Sequence, residues 1–382
     1  MSESLNILLI GGGPFSVLLA LYLKRKNKAH KVTILESDKE KILKRILVSG
    51  NGRANFFNDD FIKDNMRDKV TSFKDYERFF HEVNKEVFLK YLKEELNFYY
   101  YKDREGRYYP YSNISSTLKD TLVDELKKQG VNIILGETVL IVDPESKNIV
   151  TDKRKYSYDK LVIGVGGESY DRNKDCNLDL FRSLNLKVNR RSPALCPLVT
   201  TNKIYKSLVG VRVKGNLRLL SSSNEVLYEE KDSELLFKKD GISGIGVFSS
   251  TLFLKDNCRI EFDVTNSQGV SLDLPSSFKV SYLKGIFNYK IIDYLNSLFR
   301  DRDITKRDLI KAFTFNIKST YDFKDSQISL GGISLDEIND DLSLVKYRDI
   351  YVGGEAIDLH CICGGYNMGL AFLCALRVAN SI

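Results

Sequence analysis

The sequence predicts an α/β protein with a mainly parallel sheet, interrupted by a small β-barrel and a helical insert and completed by the C-terminal segment. Three patterns carry that expectation. The chain begins as strand, glycine turn, helix and strand. From about Arg191 to Val264 short β-rich runs take over, and after Ile328 the α/β alternation returns and ends in a helix. At 382 residues the chain also exceeds the roughly 250–300 residues that a single core supports. The expected division is 1–190 and 326–382 for the two parts of the sheet domain, 191–265 for the barrel and 266–325 for the helical insert.

Leu5–Ile10 is a strand-length apolar run, Ser16–Lys24 has the apolar face of a helix, and Lys31–Leu35 is a second strand ending at Glu36. Together they make a βαβ unit of about 30 residues, the size of a parallel crossover. Helical patterns follow over Tyr76–Leu96 and Ser115–Gln129, with the turn-rich Glu105–Pro110 between them. Val131–Leu135, Thr138–Val142 and Lys160–Val165 read as strands, the last running into Gly166-Gly167. In the barrel region Leu208–Val213, Leu217–Leu220, Glu225–Tyr228 and Cys258–Val264 are the strand candidates. Tyr282–Phe287, Ile291–Phe299 and Arg307–Phe315 have helical apolar faces, Ile350–Val352 is a short strand, and Met368–Ala379 is the final helix.

Composition narrows the function classes. With 43% hydrophobic and 29% charged residues the chain is globular rather than disordered. Its net charge of +7 comes from lysines that mostly alternate with acids, a solvated surface rather than a nucleic-acid patch. None of the six cysteines forms a Cys-x-x-Cys pair, and three histidines offer no metal-ligand constellation or Ser-His-Asp arrangement. No apolar stretch approaches the roughly 18–20 residues of a membrane span. A cytoplasmic protein with free thiols, no metal, no membrane association and no nucleic-acid partner is expected; its oligomeric state is not legible.

Gly11-Gly12-Gly13-Pro14-Phe15-Ser16 lies between a buried strand and a helix, where a dinucleotide fingerprint belongs. Gly11 permits the tight turn, and Gly13 lets the backbone approach a pyrophosphate. The helix N-terminus then offers amides and a positive dipole end. Glu36 stands at about the 20-residue distance at which an acid bonds the ribose hydroxyls. Ser16 replaces the third glycine of the fingerprint, the one that serves helix–strand packing. The motif alone leaves FAD and NAD both open.

Ser49-Gly50-Asn51-Gly52-Arg53-Ala54-Asn55 resembles the Ser/Thr-Gly-x-Gly-Arg-Cys-Asn segment of the BaiN/YhiN-like NAD(P)/FAD-dependent oxidoreductases. Gly353-Gly354-Glu355-Ala356-Ile357-Asp358, followed by Cys363-Gly364-Gly365-Tyr366-Asn367, is similar to that family's C-terminal signature. Gly106-Arg107 with Pro110, Gly164-x-Gly166-Gly167, Pro193-Ala194-Leu195 and Gly331-Gly332-Ile333 recur between them in order. The resemblance implies a Rossmann-like FAD-binding domain and an oxidoreductase; members are linked to bile-acid ring reduction or to oxidation of aminoacetone or amino acids. It implies that FAD is held by Gly11, Gly13, Pro14, Phe15, Ser16 and Glu36, by Ser49–Arg53 and Asn55, and by Val139 and Gly166-Gly167. Gly354, Glu355, Asp358, Gly364, Gly365, Tyr366 and Asn367 complete that set. Arg53 meets either a phosphate, the flavin edge or a salt-bridge partner, and Asn55 and Asn367 either touch the ring or fix loop backbone.

The chain departs from the family at four places: Ala54 stands for a cysteine and Phe57 for a small hydroxyl residue, while Glu168–Asp175 and Leu342–Lys346 replace family elements. The expected chemistry is hydride transfer between a small organic substrate, bound between the flavin layer and the barrel or helical insert, and the ring. His360 and Tyr366 are the catalytic candidates, His360 because imidazole transfers protons near neutrality. Cys361 and Cys363 either approach the ring or are buried, inert thiols. No second glycine fingerprint is present, so NAD(P)H would dock transiently or the substrate itself would reduce the flavin. A non-catalytic FAD-binding role is the alternative.

Overall fold

The computed structural model describes residues 4–169, 176–267 and 270–382. They fall into two units: Met1–Ser192 with Ser329–Ile382, and Pro193–Ile328.

The first unit is built on a five-stranded sheet in the order Ile350–Val352, Lys160–Ile163, Asn6–Ile10, Lys31–Glu36, Asn132–Leu135. Every pairing is parallel. The central strand contributes four consecutive buried apolar residues, Ile7 to Ile10, as a strand covered on both faces requires. Because the first strand sits between the second and the Lys160–Ile163 strand, the chain reverses its direction of travel there. Ligands of open α/β sheets bind at such a switch point, outside the carboxyl ends of the strands.

The first helix, Pro14–Lys26, starts with proline at its first turn and ends on Lys24, Arg25 and Lys26, an arrangement that suits both the missing donor and the dipole. It is buried continuously from Phe15 to Leu23, the mark of a helix covered on all sides. The C-terminal helix, Tyr366–Ser381, packs along it, and Lys26 Nζ donates to the Ala379 carbonyl at 2.7 Å. First and last segments thus share one core. The Tyr76–Leu96 pattern resolves into Phe73–Phe80, Val87–Lys90 and a wide turn at Tyr91–Glu95. The break falls where Asn84 Oδ1 accepts the Glu86 amide at 3.1 Å, offering the backbone an alternative to the helix.

The second unit is a closed barrel of six strands, Leu198–Thr200, Gly241–Ser243, Val226–Phe237, Arg212–Leu220, Arg259–Asp263 and Thr314–Thr320. The last of these comes after the helical stretch and closes the barrel by pairing with both Arg259–Asp263 and Leu198–Thr200. The helical pattern over Arg307–Phe315 therefore stops early: the helix covers Lys306–Ala312, begun by a Thr305/Asp308 capping box, and a strand starts at Thr314. Ile291, Leu295, Phe299 and Leu309 join Leu217, Leu219, Ile260 and Phe262 in one apolar core. The helices are part of the barrel unit rather than a separate insert, because their apolar faces have no other core to enter.

Gly164, at the end of its sheet strand, faces the first helix. A Cβ there would lie 2.5 Å from Ser16 Oγ and 2.8 Å from Phe15 Cδ1. The close packing that the fingerprint usually assigns to its third glycine is supplied from the opposite side, which explains why Ser16 is tolerated. Gly164→Ala should cost about 1–3 kcal/mol by overpacking. Adding Ser16→Gly should recover part of that loss, a coupling readable in urea unfolding of the double-mutant cycle.

Candidate functional site

The glycine turn follows the central strand. Gly11, at φ 95°, donates its amide to the Leu35 carbonyl at 2.8 Å, and a side chain there would collide with the Gly164 carbonyl. Gly12 donates to Glu36 Oε2 at 2.7 Å, while Glu36 Oε1 accepts the Asp38 amide at 2.8 Å and the Ser37 hydroxyl at 3.1 Å. Glu36 therefore ties the turn to the second strand, and its carboxylate retains acceptor capacity for a ribose. Gly13 differs from its neighbours: a Cβ on it would meet only the Gly164 carbonyl oxygen, 3.9 Å away. Pro14 opens the helix just beyond it.

Phe15, 2% exposed, is enclosed by glycines. Cβ atoms on Gly353 and Gly354 would come within 2.7 and 3.3 Å of it, in addition to the Gly164 contact. The first fingerprint and the C-terminal signature thus meet on one ring. Gly166, at φ 73°, has nothing within 4 Å of its Cβ direction, and the same holds for Gly52 at φ 82°.

The Ser49–Asn55 loop is conformationally unusual. Ser49 Oγ donates to the Ile46 carbonyl at 2.7 Å. Gly50, Asn51, Gly52 and Ala54 all have positive φ, and for alanine that conformation costs energy which only a surrounding structure can enforce. Asn55 Oδ1 is buried without a donor, against Gly365, whose Cβ would overlap it. Asn58, which the motifs did not single out, donates to the Gly364 carbonyl at 2.9 Å. Asn55 and Asn58 thereby join this loop to the turn that opens the C-terminal helix. Arg53 has no acidic partner among the described residues; its guanidinium lies over the Tyr109 ring at 4.9 Å.

Glu355, Gly166 and Gly167 converge on a residue that the sequence did not expose, Arg191. Its guanidinium, with the side chain 4% exposed, reaches the Gly166 carbonyl at 3.3 Å, Ser329 Oγ at 3.1 Å and Glu168 Oε1 at 3.9 Å. Burial lowers its pKa, opposed by the nearby Glu355, Glu168 and Asp358. Glu355 Oε1 accepts the Ser329 amide at 2.8 Å, and a side chain on Gly167 would overlap that carboxylate. Of the departing segments, Tyr170–Asp175 lies outside the described residues. Leu342–Lys346 lines the last strand, where Leu342 accepts the Val352 amide at 2.9 Å.

Asp358 accepts the Gly331 amide at 3.1 Å and Asn189 Nδ2 at 2.7 Å. Burial works to raise its pKa, but bonds from His360 and Asn189 leave it lowered. His360 is 1% exposed. Its Nε2 lies 3.1 Å from the Gly331 carbonyl and 3.3 Å from Asp358 Oδ1, so that nitrogen carries the proton between two acceptors. Tyr366 is buried, donates its hydroxyl to Asp60 and packs against Phe61 at 5.8 Å. Asn367 spends its amide on the loop itself, accepting from the Cys361 amide at 2.8 Å and donating to its carbonyl at 2.6 Å. Cys361 is fully buried and its thiol pKa is pushed up by that burial. Val139 begins an antiparallel hairpin paired with Thr151, near the end of the second strand because Glu137 donates its amide to the Glu36 carbonyl at 3.0 Å.

These residues fit a dinucleotide. Gly13, at the N-cap of the first helix, and Gly166 leave open space where side chains would stand, as does Gly52 in the Ser49–Asn55 loop, and among the described residues the buried Asn55 Oδ1 lacks a donor. An unsatisfied acceptor costs about 1–3 kcal/mol, a penalty that a bound N–H would remove. Fold and site define a flavoprotein-type oxidoreductase. The chain belongs to the HI0933-like protein Rossmann domain family, whose model matches residues 5–381. It is 28% identical over 405 residues to the 3-dehydro-bile acid delta(4,6)-reductase of Clostridium scindens, covering 95% of each chain. A shorter stretch of 82 residues, 21% of this chain and 18% of the relative, is 30% identical to an NADH oxidase of Streptococcus pyogenes. Among solved structures, the 3-ketosteroid delta1-dehydrogenase from Sterolibacterium denitrificans in complex with 1,4-androstadiene-3,17-dione shares the fold at TM-score 0.51 and 10% identity, covering 100% of this chain and 99% of that one. No helix among the described residues is long and apolar enough to cross a membrane.

Two outcomes are expected. Arg191→Met should destabilise the protein by about 3–5 kcal/mol, because it leaves buried carboxylates without their cation; chemical denaturation measures it. Asp59 accepts from Lys63 at 2.8 Å, Lys102 at 3.0 Å and Tyr108 at 3.0 Å. Burial would raise its pKa, but these bonds bring it down to about 2. Its stabilisation is complete above its unfolded pKa near 3.9 and is lost as pH falls through about 2. Asp59→Asn should flatten the acid limb of stability between those values.

Proposed function

We propose that the protein binds FAD and catalyses hydride transfer between a small organic substrate and the flavin, with NAD(P)H docking transiently as donor. The observation that carries this reading is the coincidence of open space at Gly13 and Gly166 with the donor-seeking Asn55 Oδ1 at Gly365. In such an enzyme the ring supplies the redox chemistry, accepting and releasing a hydride.

The chain's own residues bind and orient. Helix amides after Gly13 and the positive end of the first helix suit the pyrophosphate. Glu36 takes the ribose, and the backbone of Val139 takes the adenine side. Arg191, Glu355 and Asp358 hold the backbone of Gly166, Ser329 and Gly331 in place. His360 acts as a positioning residue: its Nε2 proton is shared by Gly331 and Asp358, so it fixes that turn. Tyr366 likewise positions the Asp60 segment through its hydroxyl. The named substrates of the similar proteins, a bile acid and a steroid, support a largely apolar ring compound as the substrate here.

The purified protein should show a flavin visible spectrum, natively or after adding FAD, and NADH or NADPH should bleach it anaerobically. A bleached spectrum identifies the donor. An intact spectrum with both removes the reductase form and leaves substrate oxidation. Protein that stays colourless with added FAD overturns the cofactor assignment. Gly13→Ala separates fold from cofactor: its extended backbone, φ −78° and ψ 176°, accepts alanine, whose Cβ would meet only the Gly164 carbonyl oxygen at 3.9 Å. FAD affinity should fall at least about tenfold, because the ligand's space is filled, while the thermal midpoint of the cofactor-free protein stays nearly unchanged.

A further inference from the structure

We propose that the barrel unit docks on an anionic lipid surface through lysines and apolar tips carried by the Lys206–Leu208 turn, the Val280–Gly285 turn and the start of the Tyr289–Phe299 helix. The proposal goes beyond the flavin reading and does not depend on it. Two stretches of the chain that contain no acid, 201–224 and 274–292, supply these elements. Their inward residues Ile204, Leu208, Leu283, Ile291 and Leu295 are buried in the core of the barrel unit. The helix packs against both turns, and Tyr205 lies edge-on to Tyr294 at 5.0 Å, so the two stretches share one side of the unit. Between those anchors stand Tyr205, Val209, Tyr282, Ile286 and Tyr289, all exposed, Tyr282 at 53% and Tyr289 at 68%.

In the chain, Lys203 and Lys206 flank Tyr205, and Lys284 and Lys290 flank Ile286 and Tyr289. None of the four has an acidic partner among the described residues. Other cations of the unit are answered: Lys279 by Asp303 at 3.0 Å, Arg218 by Glu261 at 2.8 Å, and Arg212 by Glu234. The acid nearest in the chain, Asp293, offsets one of the four charges. All four are lysines, and compact charges on flexible stems suit a diffuse layer of headgroups, whereas an arginine fork suits a fixed phosphate. A lysine cluster of this size is drawn to an anionic leaflet, and tyrosines favour the boundary between headgroups and chains. Val209 and Ile286 favour lipid over nucleic acid, because an aliphatic tip offers bases no stacking face. The expectation of no membrane association rests on span length, which bears on crossing a bilayer and not on lying against one.

The test sediments the full-length protein with vesicles of phosphatidylcholine alone, and of phosphatidylcholine and phosphatidylglycerol in equal parts. The protein should pellet with the anionic vesicles and not with the neutral ones, and added salt should release it. Lys284→Glu with Lys290→Glu should weaken that binding at least about tenfold. Lys127→Glu with Lys128→Glu, an equal change of charge in the first unit, should leave it nearly unchanged. Tyr282→Ser with Ile286→Ser should weaken it severalfold, and because both positions are exposed the thermal midpoint should hold. No preference for the anionic vesicles, or equal losses from the two lysine pairs, overturns the proposal. So does binding to oligouridylate in place of vesicles with the same lysine dependence, which would assign the surface to nucleic acid.

Discussion

The contact on which the first unit depends is the seating of Phe15 among Gly164, Gly353 and Gly354. An aromatic ring at the start of the first helix can be buried there only because three backbone positions from two distant parts of the chain lack side chains. That seat brings the helix N-terminus close to the ends of three parallel strands, and the open space around Gly13 and Gly166 follows from it. Interiors are close-packed, so a methyl group at any of the three would displace the ring and with it the glycine turn.

A second constraint is electrostatic. Arg191 is almost wholly buried and is surrounded by Glu168, Glu355 and Asp358. Burying one cation among carboxylates is tolerable only when the hydrogen bonds are numerous, and here Ser329, Gly166 and Gly331 supply them. The same bonds fix the loops after the Lys160–Ile163 and Ile350–Val352 strands. His360 belongs to this network. Its ring is buried, with Nε2 between the Gly331 carbonyl and Asp358.

The loop at Ser49–Asn55 depends on neither packing nor charge alone. Positive φ at Asn51 and Ala54 is held by Asn58 and Asn55 meeting the Gly364-Gly365 turn. Asn58 falls outside the motif, and chain spacing does not mark it: its partner Gly364 lies 306 residues away. Arg191 gave no signal: one arginine among many in a β-rich stretch is indistinguishable until Gly166 and Glu168 on one side of it in the chain and Ser329, 138 residues away, are brought beside it.

The sequence by itself determined the α/β class, the glycine turn with its acid at Glu36, and the pairing of N- and C-terminal signatures, because each rests on local spacing and on residue types whose backbone needs are specific. It also showed the barrel's β-rich character. Only the tertiary structure decided that the helices at Tyr289–Phe299 and Lys306–Ala312 share the barrel core, and that Thr314–Thr320 closes the barrel. Tertiary structure likewise decided which polar groups are satisfied: Tyr366, Asn367 and His360 find partners within the protein, while Asn55 Oδ1 finds none among the described residues. The physical reason is that satisfaction is a property of what lies within about 3 Å in space, and chain spacing carries no information about neighbours hundreds of residues away.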